Sequence, residues 1–406
     1  MKSKYIALLL ILCFFAFLLS GCDEGHTVDQ FSYIVALGID KGESHKIKLS
    51  LQFAIPSGSE STSGSSQSAN SVVHSVECSS IEEGINLMNN YVGKPVNLAH
   101  CKVVVFSEKV AVEGLSPHIY TLTNSIQMRP IANIIVSRCP ASDYIENAKS
   151  PLEELSARYY ESIFTSTEQT GYIVTASLSD FFYSLNDTTK QPIAVLGDVN
   201  YLHTDNTENT SSSESNKYKA GQTPINSDNS IENSGIAVFK EDKLVGELDN
   251  IQTMCFSMVT NTLNKAIITI PNPFDNSETI DLQITRNNPT QSIVSTLSTN
   301  PYIEVNLQLS AQILSMTEDS VYLRAENLPR LEEAVNSYLE KNTSEFLYKT
   351  SKEYHSDITG FAKEAIKNFW TWDKWESYNW HENYENAVFK VRASTNIRSG
   401  RLFTDS

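Results

Sequence analysis

Runs that alternate apolar and polar side chains recur along the chain, separated by stretches whose apolar residues return every three or four positions. "KIKLSLQFAI" (46–55) and "SVVHSVEC" (71–78) alternate at period two, the pattern of half-buried strands. The Ser-rich "PSGSESTSGSSQSANS" (56–71) between them predicts a mobile hairpin loop. "SIEEGINLMNNYVG" (80–93) predicts a helix. Ser80 and Glu83 form a capping box, and Ile81, Ile85, Met88 and Tyr91/Val92 share one face. "CKVVVF" is a short buried strand, helices follow near 108–127, "IANIIVS" is a strand, and helices return around 141–164 and 176–186.

The second half has a different order. "GIAVFKEDKLVGEL" reads as two strands joined by a tight turn at Glu241-Asp242-Lys243. A helix near 249–263 precedes alternating segments at 265–271, 278–287 and 302–314, and "NAVFKVRASTNIRSG" closes the pattern as a strand. Leu331, Val335, Tyr338, Tyr354, Ile358, Phe361, Ala365 and Phe369 keep helical spacing, which predicts a long helical region from about Leu328 to Phe369. The polar stretch 204–230 offers almost nothing apolar to bury and predicts a disordered Ser/Asn-rich linker. The fold class is therefore α+β, a mixed α/β multi-domain chain with largely antiparallel sheets and long C-terminal helices. Its domains run 22–203 and 231–406 around that linker.

The N-terminus changes the picture. Lys2 and Lys4 precede an apolar run from Tyr5 to Leu19, shorter than the roughly 20 residues a spanning helix needs and suited to a signal peptide, 1–21. Leu19-Ser20-Gly21-Cys22 resembles the bacterial lipobox. The resemblance implies cleavage before Cys22 and a diacylglyceryl group on its thiol. Acyl chains at about 0.8 kcal/mol per buried CH₂ make such an anchor stable.

The chain of 406 residues is 40% apolar and 19% charged, with net charge −17. The acidity argues against nucleic acid as a partner. Cys78, Cys101, Cys139 and Cys255 are widely spaced without a C-x-x-C, so neither zinc nor a redox motif is suggested. They are either buried free thiols or include one disulfide. There is no G-x-S-x-G, H-E-x-x-H, Walker or G-x-G-x-x-G motif. His100 beside Cys101 points away from it on a strand, and Glu82-Glu83 reads as the acidic start of a helix. All four Trp fall in "FWTWDKWESYNW" (369–380), either as packing cover or as a stacking platform. The residues thus predict no catalytic group, no cofactor and no metal site.

Several segments, taken in order, resemble the Ger(x)C family, the C subunits of bacterial spore germinant receptors. They are "FSYIVALGIDKGE" (31–43), "KPVNLAHCKVVVFSEKVAVEGL" (94–115), "GIAVFKEDKLVGELD" (235–249), "HSDITGFAKEAIKNF" (355–369) and "VFKVRASTNIRSGRL" (388–402). Arg129-Pro130-Ile131 departs from the acidic pair usual at that point, and Asp23 stands where the family often has Trp. The resemblance implies a non-catalytic lipoprotein on the outer face of the inner spore membrane. Its partners would be the bilayer, through acylated Cys22, and two integral-membrane A and B subunits, and its role would be the nutrient-triggered germination response. The alternative is a solute-binding lipoprotein of a transporter, which would show two parallel α/β lobes about a hinge. Gly38, Gly246 and Gly360 read as turn or close-approach positions. Asp40 and Asp357 serve either as local caps or as a partner surface.

Overall fold

A computed structural model describes residues 30–55, 71–149, 152–200 except 154 and 166, 216–225, 230–295 except 276, 299–316 and 326–398, together with Tyr5. Apart from Tyr5, the 1–21 signal lies outside these residues, as do Cys22 and most of the 56–71 loop.

Four strands with near-continuous apolar sequence form the middle of the first sheet: β1 (Ser32–Lys41), β5 (Val103–Ser107), β6 (Asn133–Ser137) and β7 (Ile193–Val199). They pair in parallel in that order. Strands with both faces covered need no polar alternation, which is why these segments read as solid apolar runs. Antiparallel strands flank them. β2 (Ile47–Ala54) and β3 (Ser71–Cys78) lie beside β1, while β8 (Ile231–Lys240) and β9 (Lys243–Leu248) lie beside β7. The two-residue β4 (Val96–Asn97) pairs with the start of β1. The β8–β9 hairpin turns at Glu241 as expected, with φ 55, but it completes the sheet begun by the N-terminal half.

One face of this sheet, carrying Leu37, Ile39, Val104, Phe106, Ile134 and Val136, is covered by four helices. These are α1 (Ile81–Val92), α2 (Glu108–Glu113), α3 (Ser116–Asn124) and α7 (Leu178–Asn186). Ser80 caps α1 through Glu83 N, while the Glu83 carboxylate accepts from Ser79 N rather than Ser80 N, so the box closes one residue early. Ile81 and Met88 are buried, but Tyr91, expected on the same face, is 72% exposed and meets His74 edge-on.

The opposite face, with Ala36, Val103, Val105, Ile135, Val195 and Val238, packs under α4 (Ala141–Glu146) and α5 (Ser156–Thr165). A short turn of helix, α6 (Thr167–Thr170), follows α5. The same core continues without a break into the second half of the chain. The link is α8 (Asn250–Val259), every residue of which is buried. A helix hidden on all sides shows no polar stripe.

The second sheet joins β10 (Lys265–Pro271), β11 (Thr279–Arg286) and β13 (Tyr302–Met316) antiparallel. β12 (Gln291–Ser295) pairs antiparallel with the start of β13, and β14 (Val388–Arg398) lies parallel along β13. β14 would leave a row of unpaired N–H groups at the sheet edge. The long helix α9 (Leu328–Tyr348) supplies their acceptors. Glu340, Asn336 and Glu332 accept from Ala393 N, Thr395 N and Ile397 N at 2.9, 2.9 and 3.0 Å. The ladder works because four helical residues rise about 6.0 Å while two strand residues rise about 6.8 Å. It is a helix-borne answer to the edge-strand problem.

Two expectations need correction. The helical region from Leu328 to Phe369 is not continuous. α9 ends in a π turn (Lys349–Glu353), the chain leaves helical geometry at His355 (φ 50), and Gly360 has φ 78. Helix resumes only as α10 (Ala362–Ala365), α11 (Trp372–Tyr378) and α12 (Trp380–Tyr384). The buried positions kept helical spacing across the gap because both sides face one core. The stretch 204–230 is not wholly a linker either. Within it, residues 216–225 are ordered: Ala220 is fully buried, Ala220 N donates to Ser234 O, and Asn250 N donates to Tyr218 O. Lys219 reaches Glu247 at 3.0 Å. Hydrogen bonds and the ion pairs Lys217–Glu345 and Lys219–Glu247, more than apolar area, hold this segment.

Candidate functional site

The segments singled out in the sequence converge on two buried carboxylates. In β1, a Cβ on Gly38 would stand 2.7 Å from Ile145 Cδ1 and 3.3 Å from Ala141 Cβ, so glycine lets α4 lie directly on the strand. Two residues on, and therefore on the same face, the Asp40 carboxylate accepts from Ala141 N at 2.7 Å and Ser142 N at 2.9 Å. It caps a helix that begins a hundred residues later. The local reading of Asp40 is the one the geometry supports.

Asp357 is fully buried and accepts five hydrogen bonds. Its Oδ1 takes Thr359 Oγ1, Gly360 N and Phe361 N at 2.9, 2.9 and 3.2 Å. Its Oδ2 takes Ala362 N at 3.0 Å and Trp380 Nε1 at 2.9 Å. This carboxylate breaks the expected long helix, because the N–H groups of 360–362 turn toward it instead of back along the chain. The same loop is stitched to the first sheet. Gln191 N donates to Asp357 O, Ser356 Oγ to Phe239 O, and Tyr354 OH to Glu247 O. Gly246 makes room for this, since a Cβ there would fall inside the Tyr354 ring. The motifs "LVGEL" and "HSDITGF" thus meet as the fastening of the chain's two halves, whereas "VALGID" seats α4 on β1 within the first half.

Beside the fastening lies an open cleft of about 660 Å³ between α7, the end of α8 and the 359–364 loop. Its walls mix apolar side chains, Val174, Phe256 and Phe361 among them, with Asp180, Asp187, Lys190, Lys363 and Glu364. That volume lies in the range of small-molecule sites. A second charged hollow of about 810 Å³ sits over Asp40, Lys48, Glu77 and Arg138 at the ends of the parallel strands. Most of its charges are already committed: Glu77 accepts three backbone N–H groups of the 43–45 turn, and Arg138 pairs with Glu247 at 3.4 Å.

The other candidates are structural. Cys78, Cys101, Cys139 and Cys255 are free thiols, and burial pushes Cys101, Cys139 and Cys255 up to about 12. Thiols so protonated make poor nucleophiles. His100 lies edge-on against Tyr33, while Cys101 turns inward to Val103 O. Of the four Trp, Trp375 and Trp380 stack in the core, whereas Trp370 is 94% and Trp372 53% exposed. Among the described residues no group of three or more His, Cys, Asp or Glu could hold a metal ion, and no helix is long and apolar enough to cross a membrane. What sequence reading missed was Lys190. It lies in no motif, and only its place beside the glycine of "DITG" gives it away.

Comparison with known proteins agrees with this architecture. Residues 25–198 match the spore germination protein N-terminal domain, and residues 234–400 match the spore germination B3/GerAC-like C-terminal domain. The chain is 23% identical to spore germination protein KC of Bacillus subtilis, over 98% of this chain and 96% of that one. It is 22% identical to the putative spore germination protein YfkR of the same organism, over 98% and 97%. Against GerQC of Bacillus cereus the identity is 20%, over 93% and 94%. The fold matches the crystal structure of the GerBC protein with a TM-score of 0.52 at 16% identity, covering 89% of this chain and 96% of that one. Two family domains in order, full-length relatives and a shared fold lead to one conclusion: this chain belongs to the Ger(x)C family of spore germination proteins.

Proposed function

We propose that the chain is the lipid-anchored, non-catalytic C subunit of a spore germinant receptor. Cys22 carries the anchor on the outer face of the inner spore membrane, and the folded body assembles with integral-membrane A and B subunits. The nutrient-triggered germination response requires that assembly. The observation that carries this reading is the end-to-end similarity to spore germination proteins, including GerQC and protein KC. The geometry supports it further: the motif carboxylates Asp40 and Asp357 are spent on backbone N–H groups of the fold, and Cys78, Cys101 and Cys255 are buried thiols. The solute-binding alternative loses its premise, because the second half forms an antiparallel sheet with one parallel edge strand and not a second parallel lobe.

The test is Cys22→Ala. The variant should remain an unprocessed precursor without diacylglyceryl, read by mass spectrometry of the N-terminus. In spores it should fail to fractionate with the inner membrane and should depress germination. A variant that is still cleaved before residue 22 and still extracts as a lipoprotein refutes the anchor. Wild-type protein that never co-purifies with two multi-spanning subunits refutes the assembly.

A further inference from the structure

The cleft beside the Asp357 loop contains a cation without an acceptor. Lys190 is held from three sides: its stem packs on Gly360, Gln191 N next to it is tied to Asp357 O, and its ammonium stands 6.0 Å over the Phe256 ring. Among the described residues its Nζ makes no hydrogen bond and no ion pair. Lys363, across the cleft wall, likewise has neither. Lys363 is exposed at the rim and water can serve it, but Lys190 is part-buried, and a charge withdrawn from water is costly unless it is paired. Burial and the nearby Lys363 both lower the Lys190 pKa, against the opposing pull of Asp180, Asp357 and Asp187.

The carboxylates nearby are occupied elsewhere. Asp357 is saturated by its five donors, and Glu364 pairs with Lys367 at 2.7 Å. The Asp180 carboxylate accepts from Ser177 N and Oγ at the start of α7, and Asp187 from both the N–H and the hydroxyl of Thr189. None neutralises Lys190 directly, yet their presence makes the cleft hostile to a polyanion. Val174, Ile193 and Phe361 supply an apolar wall.

We propose that this cleft binds a small organic carboxylate with an apolar body, its carboxylate received between Lys190 and Lys363. The inference rests on the cleft alone and stands apart from the receptor assignment.

Butyrate is the probe, followed by saturation-transfer NMR on the full chain in detergent, with butylammonium and inorganic phosphate as counter-probes. Butyrate should bind saturably below about 5 mM, well within the ceiling for a ligand of its size. Lys190→Met should weaken it about tenfold or more, the loss expected for one charge-assisted hydrogen bond, and Lys363→Met should weaken it several-fold. Lys190→Arg should retain binding, and butylammonium should show none. The circular dichroism of each variant should match the parent, because Lys190 makes no hydrogen bond or ion pair to lose and Met keeps the contact of its stem with Phe256. Butyrate binding that Lys190→Met leaves unchanged, no saturable butyrate binding at all, or phosphate binding tighter than butyrate would each overturn the proposal.

Discussion

Replacing Asp357 by Asn removes one charge and almost no volume, so its effect isolates the hydrogen bonds. The amide can keep one carbonyl oxygen toward Thr359 Oγ1, Gly360 N and Phe361 N. Its NH₂ then faces Ala362 N and Trp380 Nε1, two donors that lose their acceptor in a fully buried site. A hydrogen bond to a charged group contributes about 1.5–3 kcal/mol, so the loss of two amounts to about 3–6 kcal/mol. At about 2.1 cal/mol/K of unfolding entropy per residue, a unit of roughly 400 residues with one continuous core shifts its thermal midpoint by a little over about 1 °C per kcal/mol, which gives a fall of about 4–7 °C. The assay is thermal unfolding followed by Trp fluorescence. Trp375 and Trp380 sit in the affected core, whereas Trp370 and Trp372 are already exposed and supply a constant background. Hydrogen exchange should accelerate first at the amides of 360–362. Trp380→Phe serves as the control, since it removes one donor and leaves four on the carboxylate. A fall of less than about 2 °C for Asp357→Asn, with unchanged exchange, would show that the carboxylate does not hold the loop that fastens the halves. Lost germination at normal stability and abundance would make Asp357 a partner contact instead.

Gly246→Ala should cost about 2 kcal/mol or more through the clash with Tyr354, and Tyr354→Leu in the same chain should recover part of it in a double-mutant cycle of midpoints. Asn336→Leu leaves the N–H of buried Thr395 without its acceptor. It should cost about 1–3 kcal/mol and speed exchange at Thr395 before its neighbours. Burial holds the folded-state pKa of His381 and of His118 below the usual 6.5, with Lys46 adding to the effect at His118. Depressed histidines contribute stability that is complete above pH 6.5 and is lost as the pH falls toward their folded pKa values. The midpoint should therefore drop between about pH 7 and pH 5, and His381→Gln should flatten part of that slope; equal slopes in both proteins would remove His381 from the account.

The sequence by itself determined the elements whose environment is local or uniform. Alternation placed β2, β3, β10, β11 and β13, and the solid apolar runs placed β5 and β6, because side-chain period follows from which faces are wet. The ordered set of weak motifs determined the family, and the Leu19-Ser20-Gly21-Cys22 pattern set the expectation of an anchor. Tertiary structure alone decided what the motif residues do. Asp40 caps a helix that starts at Ala141, and Asp357 gathers donors from its own loop and from Trp380, pairings invisible to any local window. The break at 354–361 was hidden because buried residues keep a helical rhythm whenever both arms of a bend face one core. The order of 216–225 was hidden because hydrogen bonds to β8 and Asn250, not apolar area, hold it. Lys190 was hidden for the plainest reason: a lysine becomes unusual only when folding surrounds it and provides no acceptor.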